Sequence, residues 1–279
     1  MTMIKILTDS TVQLSKEEQE QYQITVVPLS VMLENTIFYD GETINKTEFL
    51  QKMSESESLP KTSQPAIGRF VETFNEIGND GSPIIAILAA SYLSGTFQAA
   101  QQASQLTSAD VTVIDSGTVD RALSFQVLKA AELANKGQSA EEILHAIKNI
   151  KSNSELYVGI VHLENLIKGG RIGKVMGRVS TMLNMKLMLR VTNTGLELET
   201  KGRGLKTLQK KVDALIDHMK TSSVKEIGVT HVGLTPFIEK IIAQLKENFP
   251  QADFYIDYAS PTLMSHAGKE AFAISYCAV

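Results

Sequence analysis

Residues 84–90 read IIAILAA and are apolar at every position. A strand with one solvated face alternates apolar and polar residues, whereas a strand covered on both faces is apolar throughout. The stretch therefore predicts a central strand of a parallel sheet with helices on both sides. It runs into a polar segment at 91–96, and a second strand-like stretch, VTVI at 111–114, is followed by a polar segment in the same way.

Strand-like and helical stretches alternate through the first half of the chain. Residues 4–7 predict a strand, and Ser15 with Glu18 has the spacing of a capping box at a helix start. Repeated alternation of this kind is typical of an open parallel sheet flanked by helices. The polar stretch 148–155 marks a boundary, beyond which an NTG turn at 193–195 predicts a hairpin.

These patterns predict an α/β protein of two domains. The N-terminal domain, residues 1–152, is expected to be an open parallel sheet flanked by helices, and the C-terminal domain, residues 153–279, a mixed-sheet α/β unit. The length of 279 residues agrees with two domains at about 150 residues each.

Composition and charge exclude several classes of protein. The chain has 27 basic and 31 acidic residues and a net charge of −4, so it lacks the positive field that collects nucleic acid. No run approaches the roughly 18 apolar residues of a membrane span, so no membrane insertion is expected. The single cysteine, Cys277, cannot form an internal disulfide. We therefore expect a soluble, cytoplasmic protein.

Four segments rich in serine and threonine are expected near one edge of the sheet. Three follow predicted strands, at 9–11, 91–96 and 115–118, and the fourth, at 62–63, is expected as a loop before a helix. Free N–H groups at helix N-termini, with hydroxyls beside them, bind carboxylates or phosphates. Each segment alone is also explained as a helix cap. Their convergence favours an anion site.

Five motifs, in order along the chain, resemble those of the DegV family. They are DST at 9–11, KTSQP at 61–65, LSGTFQ at 93–98, VIDS at 113–116 and HLENLIKGGRI at 162–172. The resemblance covers essentially the whole chain. It implies binding of a long-chain, palmitate-like fatty acid. For some members it also implies service as the acyl-presenting subunit of a bacterial fatty acid kinase, whose separate ATP-binding subunit phosphorylates the carboxylate. The alternative is that the protein carries the fatty acid in lipid metabolism.

The resemblance also implies which residues contact the carboxylate. The hydroxyls of Thr62 and Ser94 are the principal candidates, Ser63 and Gly95 are their neighbours, and His266 is a further polar group. The family usually carries a His-x-Gly-Pro-Gly run near its C-terminus, whereas residues 266–270 read HAGKE here.

Two arginines are candidates for contact with a phosphate or with the kinase partner. Arg171 follows two glycines and Arg203 lies between Gly202 and Gly204, so both side chains can extend with little backbone obstruction. The resemblance implies a role in stabilising acyl phosphate charge or in docking an acidic surface of the kinase. The alternative is that each is an ordinary surface arginine.

Four methionines close together are candidates for lining a tunnel for the acyl chain between the two domains. They are Met176, Met182, Met185 and Met188. Flexible thioethers suit a tunnel that follows a bending chain, although an ordinary core explains them as well.

The alternative function is a serine hydrolase acting on acyl substrates, with Ser94 as the nucleophile. His266 or His231 and Asp115 would complete a triad, whose members are defined by geometry rather than by order. Against it, residue 92, two before Ser94, is tyrosine and not the glycine of a nucleophile elbow. No Walker A, dinucleotide or metal-ligand spacing occurs, so no cofactor and no metal are expected. The preferred hypothesis is a non-catalytic lipid-binding protein.

Overall fold

The computed structural model describes residues 3–172 and 184–278. Within these ranges the strands are β1 (Lys5–Asp9), β2 (Thr25–Val27), β3 (Ser30–Leu33), β4 (Thr36–Tyr39), β5 (Lys61–Ser63), β6 (Ile84–Leu88), β7 (Val111–Asp115), β8 (Ser154–Ile160), β9 (Lys186–Thr192), β10 (Gly195–Gly202), β11 (Val224–His231), β12 (Asp253–Tyr258) and β13 (Phe272–Ala278). The helices are α1 (Lys16–Tyr22), α2 (Lys46–Glu55), α3 (Ile67–Ile77), α4 (Thr96–Ser104), α5 (Asp120–Asn135), α6 (Ala140–Asn153), α7 (Glu164–Lys168), α8 (Leu205–Met219), α9 (Pro236–Asn248) and α10 (Pro261–Ala267).

The N-terminal half contains a four-stranded parallel sheet in the order β2-β1-β6-β7. Every residue of β6 is buried, as the apolar stretch 84–90 predicts. Ile85 and Ile87 pack with α5 and α6 on one face. Ile84, Ala86 and Leu88 pack with α3 and α4 on the other. The open parallel sheet flanked by helices is confirmed.

The C-terminal half contains a six-stranded mixed sheet in the order β10-β9-β8-β13-β11-β12. Its one parallel pair within the described ranges is β11 with β12, and the predicted hairpin is the β9–β10 pair. One face packs against α8 and α9. The other face is turned towards the N-terminal half.

A small antiparallel sheet, β4-β3-β5, corrects one expectation. Thr62 and Ser63 do not form a loop before a helix but lie in β5, where Thr62 pairs with Val31. The segment KTS is short and polar, and its partner strand is some thirty residues away, so no local pattern indicates a strand. Alternation along β5 leaves Thr62 half-buried and Ser63 exposed.

The start of α5 joins the two halves. Asp120 has a φ of 61°, an uncommon left-handed value for aspartate, and its Oδ2 accepts a hydrogen bond of 2.7 Å from Thr230 Oγ1 in β11. The next residue, Arg121, is 4% exposed and donates to Glu18 of α1 and Glu226 of β11. It lies directly over Gly228, where a Cβ would come within 2.5 Å of Arg121 Cγ. A buried ionic contact thus fixes α5 against the C-terminal sheet.

Candidate functional site

An apolar cavity lies between the six-stranded sheet and the N-terminal half. Leu156, Val158 and Ile160 alternate along β8 and line it from one face of the sheet. The intervening Tyr157 packs on the opposite face with α8 and α9. In the sequence LYVGI, large aliphatic residues occupy every second position. This spacing is the signal that could have identified one wall of the cavity. Across the sheet the described lining continues through Leu189, Val191, Leu196, Ala271 and Ala273.

The polar end of the cavity brings together four side chains that the sequence predicts for the site. Thr62, Ser94, Arg171 and His266 all line the cavity. Three of them, Thr62, Arg171 and His266, also line a wide outer cleft between segments 53–62, 162–171 and 265–269. The cavity therefore opens to the cleft at its polar end.

The hydroxyls of Thr62 and Ser94 each have a polar partner. Thr62 Oγ1 is 2.8 Å from His266 Nε2. Ser94 Oγ is 2.7 Å from Thr96 Oγ1 and accepts a hydrogen bond from the Thr96 backbone N–H. Thr96 is completely buried at the start of α4. If Nε2 and Thr96 Oγ1 act as donors, the Thr62 and Ser94 protons are free to point into the cavity.

The imidazole of His266 is neutral at physiological pH. Its pKa is lowered to about 4, mainly because burial disfavours the charged form and in addition because the Arg171 cation is near. Nδ1 of His266 is buried and has no hydrogen-bond partner among the described residues. A neutral ring carries one donor and one acceptor, so it can orient Thr62 without adding a charge.

Arg171 and Arg203 occupy different surroundings. Arg171 is half-buried, and it donates from Nε to the Leu93 carbonyl at 3.1 Å and from Nη1 to the Gly169 carbonyl at 2.8 Å. These bonds hold its guanidinium at the boundary between cavity and cleft. Arg203 is exposed, and it does not line the described parts of the cavity or the cleft.

Ser63 and Gly95 flank the polar end without lining the cavity. Ser63 is exposed on the outer face of β5. Gly95 is the residue at the N-terminal cap of α4, and a Cβ there would lie 1.8 Å from Gln64 Oε1. Glycine therefore allows the Gln64 side chain to lie against the start of this helix.

The methionine cluster does not form the described cavity wall. Met176 and Met182 lie outside the described residues. Met185 is half-buried and packs against the core that includes Leu187 and Leu189. Met188 is fully buried with α8 and α9 on the opposite face of the sheet, because alternation along β9 turns it away from the side that Leu189 shares with the cavity.

Three of the four Ser/Thr segments reach the cavity, through Thr11, Thr62 and Ser94. Asp9 of the first segment is itself structural: Oδ1 accepts from the Thr11 N–H and hydroxyl, and Oδ2 accepts from the Ala89 N–H at 2.7 Å. The segment around Ser116 lines a separate polar pocket behind the cavity.

The described residues contain neither a candidate metal site nor a candidate membrane-spanning helix. Within residues 3–172 and 184–278, no group of three or more His, Cys, Asp or Glu side chains is placed to hold a metal ion. In the same part of the chain, none of the helices combines the length and apolar character needed to cross a bilayer.

Comparison with known proteins gives one consistent family. The family model described as "Uncharacterised protein, DegV family" matches residues 3–279. A DegV domain-containing protein of Streptococcus pneumoniae is 42% identical over 274 residues, which cover 98% of each chain. The crystal structure of DegV, a fatty acid binding protein from Bacillus subtilis, has a TM-score of 0.91 at 29% identity with full coverage of both chains. A fatty-acid-binding DegV family protein from Thermus thermophilus gives 0.87 at 27%, also with full coverage of both.

Proposed function

This chain belongs to the DegV family, and on that premise we propose that it binds a long-chain fatty acid, with the acyl chain in the apolar cavity and the carboxylate at Thr62 and Ser94. The main support for the proposal is an apolar cavity with two hydroxyl groups at one end. The Thr62 and Ser94 oxygens already contact His266 Nε2 and Thr96 Oγ1, so their protons can be donated to a carboxylate. Similar proteins from Bacillus subtilis and Thermus thermophilus are fatty acid binders.

The energetics favour this arrangement of apolar wall and neutral donors. A palmitate-length chain has about 15 carbons beyond the carboxyl, and at about 0.8 kcal/mol per buried methylene its gross transfer free energy is about 12 kcal/mol. Ordering the chain removes much of this gain. An unpaired buried carboxylate would cost several kcal/mol more. Two hydroxyl donors with Arg171 nearby offset that cost.

Hydrolysis by Ser94 is the weaker candidate. A nucleophilic serine needs a base within about 3.2 Å. The side-chain partner of Ser94 is Thr96, and His266 Nε2 is paired with Thr62. A fluorophosphonate probe separates the two functions, because labelling of Ser94 would contradict a binding role. We propose that the chain itself does no chemistry on the lipid.

We further propose that the bound carboxylate is presented to a separate ATP-dependent kinase subunit. In support, the polar end opens to a wide cleft whose lining includes Lys61, Arg171 and Lys269, cations suited to a phosphate, beside the Lys168–Glu164 ion pair and Glu57. Arg203 is proposed to contact the kinase surface. An Arg203→Ala protein should retain its lipid but lose phosphorylation by a purified kinase subunit, and loss of the lipid itself would contradict this role.

We also propose a reducing, cytoplasmic location, which the buried free thiol of Cys277 fits.

The direct test is mass spectrometry of lipid extracted from the purified protein. We expect about one long-chain acid per chain, and each of Thr62→Ala and Ser94→Ala should weaken binding about 10- to 100-fold, because a hydrogen bond to a charged group contributes about 1.5–3 kcal/mol. Ser63→Ala is the matched control, since this neighbouring hydroxyl is exposed on the outer face. A wild-type protein that neither contains nor takes up fatty acid would refute the proposed function.

A further inference from the structure

The cavity ends at a row of three side chains on neighbouring strands. Leu156 of β8 pairs in register with Val191 of β9, which pairs with Leu196 of β10. All three line the cavity. Along β8 this row lies four residues, or roughly 13 Å, from Ile160, at which end the chain continues into α7 and Arg171. The row is therefore at the end of the cavity away from the carboxylate site.

A second, polar pocket lies directly behind this row. It is lined by the loop from Ser116 to Thr118, Lys151 and the turn at Asn193, and also by Leu156 and Val191 themselves. The same two side chains thus border both spaces, so the wall between them is one side chain thick. Gln126, fully buried, also lines the pocket, and its Oε1 has no hydrogen-bond partner among the described residues.

We propose that Leu156 and Val191 set the length of acyl chain that the protein accepts. This inference rests on the proposed fatty acid binding. Each methylene buried in the apolar cavity should raise affinity about fourfold, which is about 0.8 kcal/mol. A chain long enough to pass the wall gains no such contact, because its end would cover the Lys151 amine and the Gln126 amide instead. Affinity is therefore highest for the chain whose end reaches Leu156 and Val191, and it falls beyond that length.

The experiment loads the purified, delipidated full chain with an equimolar mixture of saturated acids of 12 to 20 carbons and measures the bound acids by mass spectrometry. Leu156→Ala removes three carbons from the wall and should move the preferred chain about two carbons longer, with a rise of about 15-fold in the ratio of the longer to the wild-type acid. Val191→Leu adds one carbon to the wall and should move the preference shorter. Val191→Leu leaves no void in the core, so this test remains available if Leu156→Ala fails to fold.

Leu215→Ala is the matched control, because Leu215 of α8 is also buried but packs on the other face of the sheet, away from the cavity. It should leave the chain-length profile unchanged. Unchanged profiles in folded, lipid-loaded Leu156→Ala and Val191→Leu proteins would overturn the inference while leaving fatty acid binding intact. Absence of uptake by the wild-type protein would instead refute the binding function itself.

The polar pocket gives a second readout. In Leu156→Ala, a 20-carbon acid with a terminal hydroxyl should bind better than the plain 20-carbon acid, since a hydroxyl can donate to Gln126 Oε1. Equal or weaker binding of the hydroxylated acid would contradict the role assigned to the polar pocket as the barrier to longer chains.

Discussion

Replacing Arg121 by methionine should destabilise the protein far more than its single charge suggests. The guanidinium donates to Glu18 from Nη1 and Nη2 at 2.7 and 2.6 Å, to Glu226 from Nε at 2.7 Å and to the Gln13 carbonyl at 2.8 Å. Methionine fills similar space but leaves two carboxylates facing each other without a cation. Removal of one partner from a buried ion pair costs about 3–5 kcal/mol. Because the two carboxylates are partly solvated, at 24% and 28% exposure, we expect about 3 kcal/mol.

Urea denaturation followed by circular dichroism measures this loss as a change in the free energy of unfolding. Arg69→Met is the matched control, since the Arg69–Glu42 pair is exposed and should contribute no more than about 1 kcal/mol. Adding Glu226→Gln to Arg121→Met should recover about 1 kcal/mol or more, because it removes one of the unpaired charges. A double variant no more stable than Arg121→Met would refute the reasoning.

The same loss should depend on pH. Burial raises the pKa of Glu226, and Arg121 opposes that rise, so the pKa is higher still without the arginine. A carboxyl whose folded pKa is raised stabilises the protein below its unfolded pKa, and that contribution is lost as the pH rises through the folded pKa. Arg121→Met should therefore cost less stability near pH 5 than near pH 8, and a cost independent of pH would contradict this account.

Three other predictions follow from single sites. Glu270 has a φ of 61°, a left-handed value that glycine adopts without strain, so Glu270→Gly should raise the free energy of unfolding by about 1 kcal/mol in urea denaturation. His266, with a pKa of about 4, should stay neutral in an NMR titration until well below pH 6, and its contribution to stability should fall as the pH drops from about 6.5 towards 4, because the unfolded chain binds the proton first. Gly228→Ala should cost about 1–3 kcal/mol in thermal unfolding, because the new Cβ would meet Arg121 and Ser275 at 2.5 Å.

The sequence alone predicts a strand correctly where consecutive residues are all buried. The apolar run 84–90 predicts a central strand covered on both faces, and β6 is fully buried between two helical layers. The aliphatic residues at 156, 158 and 160 likewise share one face of β8, but their spacing alone does not show that a cavity lies on that face.

Long-range pairing was not visible in the sequence. Strand β5 forms because Thr62 pairs with Val31, and nothing in the residues KTS indicates it. Arg121 has no local feature that separates it from other helical arginines, and its role comes from two carboxylates 103 and 105 residues away. Met188 illustrates the remaining difficulty, since one residue of register decides which face a side chain joins.

The cavity takes one wall from each half of the chain, and this limits how the protein can evolve. Thr62 and Ser94 come from the first half, whereas Leu156, Val158 and Ile160 come from the second. Neither half alone encloses the space, so gene fusion or domain shuffling cannot transfer half of this chain as a ready-made module. Separating the two halves at the junction of α6 and β8, between residues 153 and 154, should therefore abolish fatty acid binding unless the halves reassemble.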